Sequence, residues 1–115
     1  MIETVVIQEL DRAIDNLRAY GETPDKKPEE YILVEKNDSI LEDQIWKSTI
    51  EVQSISRKAK IRASWINDQV ISRLRTMQHD RISACELITS YSSTKTSIKE
   101  YSYKAVFQIT HYQED

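Results

Sequence analysis

Between residues 57 and 77, apolar side chains return at Ala59, Ala63, Ile66, Val70, Leu74 and Met77, in steps of four, three, four, four and three. That is the period of an α-helix, and it lays one apolar stripe along one side. Such a stripe has to be buried, so the chain must supply an apolar layer to face it. Residues 101–110 supply one. Tyr101, Tyr103, Ala105, Phe107 and Ile109 alternate with Ser102, Lys104, Val106, Gln108 and Thr110, the two-residue period of a strand with one buried face.

The remaining segments fit this frame. Val6, Leu10, Ala13 and Leu17, with Ile14 beside them, predict a first helix over about residues 3–19. Glu9, Asp11, Arg12, Asp15 and Arg18 take its wet side, and Gly21 is placed to end it. Residues 21–30 hold both prolines and read as a loop. Tyr31 to Val34 is a short apolar run, a buried strand. Asn37-Asp38-Ser39 has turn chemistry, so residues 37–44 are expected to join that strand to a second one over 45–55. In the second strand Trp46, Ser48, Ile50, Val52 and Ser54 share a face. Ser56 is positioned to cap the second helix. Residues 82–91 form a third strand with poorer alternation, and 92–99 a polar loop. The expected fold is α+β, in the order α-β-β-α-β-β, with two helices on a mainly antiparallel four-stranded sheet and residues 1–115 as a single domain.

Composition narrows the function. One glycine among 115 residues leaves no phosphate-cradling loop. One cysteine, Cys85, allows no disulfide within the chain. No apolar run approaches membrane-spanning length, and Met1 to Thr4 lacks the start of a signal peptide. The expectation is a cytosolic protein with no membrane partner.

Reactive side chains are few. Cys85 sits in an expected strand, where a small buried thiol is the ordinary reading. His79 lies in the turn Gln78-His79-Asp80, and His111 lies near the C-terminus. No spacing suits zinc or calcium, and no carboxylate pair is placed across a cleft by the pattern. No catalytic, cofactor-binding or metal-binding residue is assigned, and a non-enzymatic chain is expected.

Charge is distributed unevenly. Residues 1–55 hold 6 basic and 13 acidic side chains, residues 56–81 hold 7 and 2, and residues 82–115 hold 3 and 4. The segment charges of −7, +5 and −1 return the net −3 of the chain. Arg57, Lys58, Lys60 and Arg62 gather where the helix macrodipole disfavours cations, which suggests a role in contact. That contact is with another protein surface or, in a rival reading as a small nucleic-acid-binding module, with phosphates.

Three stretches together resemble the tail terminator, or tail completion, proteins of long-tailed phages. They are Pro28-Glu29-Glu30-Tyr31-Ile32-Leu33-Val34, the passage from Trp46 to Ser56 and on through Val70 and Leu74, and the aromatic alternation from Tyr101 to Ile109. The turn Gln78-His79-Asp80 departs from the pattern, since it has neither Gly nor Pro. The resemblance implies a self-assembled ring, a hexamer, that caps the tail tube protein and ends its growth. It further implies a surface for a head–tail connector or neck protein, and a pore through which DNA passes without sequence-specific binding. The chain would then assemble in the host cytoplasm and reside in the virion; another connector or neck component is the alternative. In that setting Arg57, Lys58, Lys60 and Arg62 are the expected charged contact between subunits. Ile40 and Leu41, among the acidic Asp38, Glu42 and Asp43, are the expected contact with the tube, unless they fold back on their own core.

Overall fold

The computed structural model describes residues 2–14, 17–80 and 82–112. In chain order the elements are α1 (Ile2–Ala13), β1 (Ala19–Tyr20), β2 (Glu30–Glu42), β3 (Ile45–Ser56), α2 (Lys60–Arg75), β4 (Ile82–Ser92), a 3-10 turn (Thr96–Ile98) and β5 (Tyr101–His111). The strands make one sheet in the order β1-β2-β3-β5-β4. All neighbours pair antiparallel except β1 and β2, which are parallel. The class is α+β, with five strands in a mixed sheet where four were expected.

The alternation does the work it promised. Cross-strand partners Val34, Val52 and Ala105 sit on one level of the sheet, and Ile50 and Phe107 on the next. These side chains, with Ile32 and Ile109, share a single core with Ile2, Val6 and Leu10 of α1 and with Ile66, Val70 and Leu74 of α2. α1 lies over β1 and β2, and α2 over β3 and β5. The other face of the sheet is mostly polar, with Leu33 and Val106 among its charged and amide side chains, and it is apolar near one end. There Tyr31 and Ile55 face each other across β2 and β3, each 1% exposed, and the Tyr20 ring meets Tyr31 edge-on. Burial, then the charge of Glu100, pushes the Tyr31 hydroxyl above its ordinary value.

Several boundaries differ from the sequence expectation, each for a local reason. The first helix ends at Ala13, not at 19. Ile14 and Leu17 are buried as the stripe requires, yet the chain has left the helix: Ala19 N–H donates to Asp11 Oδ1 at 2.7 Å and Ile32 N–H to Arg18 O at 3.0 Å. Those bonds draw residues 19 and 20 into the sheet as the unforeseen fifth strand. Asp15, expected on the wet side, lies outside the described residues. Gly21 follows β1 and ends no helix.

The hairpin turn is Asp43-Gln44, not 37–44. Both residues have positive φ, 50° and 66°, as a two-residue hairpin turn of type I′ requires. Asn37, read as turn chemistry, is instead an extra residue between Lys36 and Asp38 in the ladder. Its side-chain amide donates to Glu51 Oε2. α2 starts at Lys60, and its N-cap is Ala59 with no side-chain cap. Ser56 is not the cap because β3 runs through it, and Arg57 N–H still reaches Glu29 O at 2.8 Å. The imperfect alternation of residues 82–92 has its cause in two register shifts, at Ser83 and Ile88.

A strand rises about 3.3 Å per residue, so the 13 residues of β2 account for most of the molecule's 45 Å length. The Asp43-Gln44 turn lies at one end of β3, and the start of α2 lies past the other.

Candidate contact surfaces

The β2–β3 register sets the chemistry at the start of α2. Glu30, first in β2, pairs with Ser56, last in β3, which carries its carboxylate beneath the first turn of α2. Arg62 grips it there, with Nε 2.9 Å from Oε2 and Nη2 2.9 Å from Oε1. Ser56 Oγ donates a third bond to Oε2 at 2.9 Å. The Arg62 hydrogen bonds, against the opposing effect of burial, hold the Glu30 carboxyl below its ordinary value, and the same bonds raise Arg62. The guanidinium also lies over the Trp65 ring, 4.7 Å from its centroid, within cation–π range.

The other expected cations are placed nearby. Arg57 and Lys58 lie in the connection before α2, not on the helix. Arg57 is 4.0 Å from Glu100, whose side chain is nearly buried, and Lys58 is 3.6 Å from Glu29. Lys60 is exposed and makes no ion pair among the described residues. The acidic and basic segments of the sequence thus meet partly within one chain. Glu29, Glu30 and Glu100 were not foreseen as partners, because only the strand register brings them to the cluster. Beside these charges the outer side of α2 leaves Ile61 78% and Trp65 43% exposed.

At the other end, the hairpin carries the rest of the expected contact residues. Ile40 is 54% and Leu41 53% exposed, so neither folds back on the core. Asp38, Glu42 and Asp43 surround them in solvent. Lys47 is 3.9 Å from Glu42, a loose pair between exposed side chains that adds little.

The reactive side chains are disposed unlike a catalytic site. Burial and then the Glu86 charge push the Cys85 thiol up to about 11, so at neutral pH it is protonated and a poor nucleophile. His111 is not at a fraying end: it is fully buried, with Nε2 2.7 Å from Ser48 Oγ, which in turn meets Ser39 Oγ at 2.6 Å. Ser48 is also 0% exposed, so no substrate reaches this Ser–His pair. Among the described residues no group of three His, Cys, Asp or Glu could hold a metal ion, and no helix is long and apolar enough to cross a membrane.

A cavity of about 240 Å³ on the polar face of the sheet is lined by residues 21–23 and by Glu35, Glu51, Gln53 and Lys104. Two of its charges are paired with each other. Lys104 Nζ is 2.9 Å from Glu51 Oε1. Burial raises the Glu51 carboxyl, but the bonds from Lys104 and Asn37 together outweigh it and hold the group low.

A solved structure, a chain of the "Virion of native gene transfer agent (GTA) particle", is similar to this chain with a TM-score of 0.68 and 10% identity. The similarity covers 93% of this chain and 92% of that one. The two chains share a fold. No family model matches this sequence, and no curated protein does.

Proposed function

We propose that this chain is a structural, non-enzymatic subunit of a phage-like particle, and that it forms the ring that closes the tail tube and offers a surface to the head. The observation that carries the reading is the near end-to-end similarity to a chain of a gene transfer agent virion. Its lengthwise extent means that the whole fold is shared rather than one motif within a larger one, and the role is argued from the surface. The surface chemistry supports the reading: the Cys85 thiol is protonated and His111 is buried, while exposed apolar side chains with charged rims lie at both ends of the long hairpin. Arg57, Lys58, Lys60 and Arg62, together with Asp38, Ile40, Leu41, Glu42 and Asp43, are the proposed contact residues. The chain would assemble in the host cytoplasm and remain in the virion, and DNA would cross the ring without base contacts. A nucleic-acid-binding role is less well supported, because Glu29, Glu30 and Glu100 offset three of the four clustered cations.

Native mass spectrometry with negative-stain electron microscopy tests this directly. The expected result is a six-fold ring with a central hole that binds the ends of isolated tail tubes. Binding to the head portal with no affinity for tube ends would assign the chain to another connector position. Turnover of a small molecule by a monomer would sink the structural reading altogether.

A further inference from the structure

Two exposed apolar patches of opposite charge lie at opposite ends of β3. At the turn end, Ile40 and Leu41 stand exposed on opposite faces of the tip, among Asp38, Glu42 and Asp43. At the other end, Ile61 and Trp65 stand among Lys58, Lys60 and Arg62. A 12-residue strand separates them, about 36–40 Å at the usual rise. One copy therefore cannot bring its own tip to its own helix.

We infer that the β2–β3 tip of one copy docks on the first turns of α2 in a second copy, with the Leu41 face of the tip packed against Ile61 and Trp65. The inference rests on the proposed assembly in one respect, that copies of this chain meet. It gives the tip a different neighbour from the tube protein expected from the sequence.

Three observations choose a second copy as the occupant. First, the charges match. The tip offers three carboxylates, of which Glu42 makes a loose pair with Lys47. The helix end offers Lys60, which has no ion pair among the described residues, and Lys58, whose pair with Glu29 is exposed on both sides. Exchanging a loose internal pair for one across an interface costs little. Secondly, the receiving surface is rigid before contact. Arg62 is fixed by two bonds to Glu30 and lies over the Trp65 ring, so the aromatic anchor loses little freedom on binding. Thirdly, α2 starts without a side-chain cap and with no acidic residue in its first turn. The positive end of the helix thus adds to the field that attracts an acidic tip. Because the two patches differ, the contact is heterologous and propagates from copy to copy, closing into a ring where the rotation permits.

Cross-linking the full-length chain tests the pairing. In a Cys85→Ala background, Leu41→Cys and Ile61→Cys are combined and treated with a short bismaleimide. A ladder of trimers and larger species is expected, with no ladder from either single cysteine. Lys60→Glu alone and Glu42→Lys alone should each weaken self-association about tenfold, and the double variant should recover most of the loss. If native oligomers persist but the ladder is absent or stops at dimer, or the charge swap fails to rescue, the pairing is wrong and the assembly reading stands. If isolated tail tubes take the Leu41→Cys cross-link in place of a second copy, the pairing is also wrong. A chain that is monomeric at every concentration, with no affinity for tube ends, removes both.

Discussion

Arg62 closes a two-bond fork on Glu30 across 32 residues of sequence, each nitrogen 2.9 Å from its own carboxylate oxygen. The two residues are unequal partners: the Arg62 side chain is 42% exposed and that of Glu30 only 9%. Removing the acid returns a guanidinium to water. Removing the base strands a nearly buried carboxylate with the Ser56 hydrogen bond and the Lys58 charge for support. Arg62→Ala should therefore lower stability more than Glu30→Gln, with a cost of about 1–2 kcal/mol after allowing for solvent screening at the arginine. Arg62→Lys should recover only part of it, since an ammonium makes neither the fork nor the stack on Trp65. Urea unfolding of the three variants gives the ranking.

The same pair makes a prediction about pH. The folded Glu30 carboxyl lies below its ordinary 4.5, chiefly through the Arg62 hydrogen bonds. A depressed carboxyl binds its proton less readily in the folded chain than in the unfolded one. Its stabilisation is fully present above the unfolded value and is lost as pH falls below 4.5 and through the folded value. The stability gap between the parent chain and Glu30→Gln should be constant from pH 6 to 8 and should shrink below pH 4.5. A gap that widens in acid would mean the pair does not act this way. Thermal unfolding across the range decides it.

Much of the fold was legible because it rests on repeated spacing. The stripe from Ala63 to Leu74 and the alternations of residues 46–54 and 101–109 fixed two buried surfaces. What was not legible depended on register. The short strand β1 exists because Asp11 and Ile32 capture backbone groups at residues 18 and 19, and two residues carry no periodicity of their own. Asn37 has the same chemistry for a bulge as for a turn, so its type could not choose between them. The basic residues at the start of α2 were visible as a cluster, but their partners were not. Glu30 reaches Arg62 only because β2 begins where β3 ends. His111 is near the C-terminus in sequence, but its pairing with Trp46 and with Ile82 places it between two strands of the sheet.

That burial makes Ser48 a sensitive position. Ser48 Oγ lies between Ser39 Oγ and His111 Nε2, and both Ser48 and His111 are fully enclosed. Ser48→Ala removes one partner from each neighbour and should cost about 1–3 kcal/mol. Phe107→Ala, in the same core, removes far more buried surface and should cost about 3–5 kcal/mol. Chemical denaturation of the two variants should separate them clearly. An Ser48→Ala chain as stable as the parent would show that the hydrogen bond is dispensable.

Cys85 should be slow to alkylate. Its thiol, raised to about 11 by burial and by Glu86, presents little thiolate at pH 8, so iodoacetamide should react much faster with the urea-unfolded chain. The folded-state rate should climb about tenfold per pH unit until the thiol titrates. The linkage runs opposite to that of Glu30. A raised thiol contributes stability that is complete below its unfolded value and is lost as pH rises through about 11. Cys85→Ala, which has nothing to ionise, should narrow its stability deficit against the parent over that alkaline range. A folded chain that alkylates as fast as the unfolded one would contradict the placement of this thiol.

The glycine and the turn offer a reciprocal test. Gly21, the one glycine of the chain, does not have the positive φ that would require it, and an added Cβ would meet only Ile7 Cδ1 at an ordinary 3.7 Å. Gly21→Ala should therefore stabilise by about 0.4–1 kcal/mol, by reducing the freedom of the unfolded chain. Gln44 is the converse: at φ 66° it holds a left-handed conformation that disfavours a side chain by about 1–2 kcal/mol. Gln44→Gly relieves that strain and gives back part of it in unfolded-state entropy, for a net gain of about 0.5–1 kcal/mol. Both substitutions should raise the midpoint of thermal unfolding, and being at separate sites they should add. If Gln44→Gly lowered it, the Asp43-Gln44 turn would be something other than the tight hairpin turn that presents Ile40 and Leu41 to solvent.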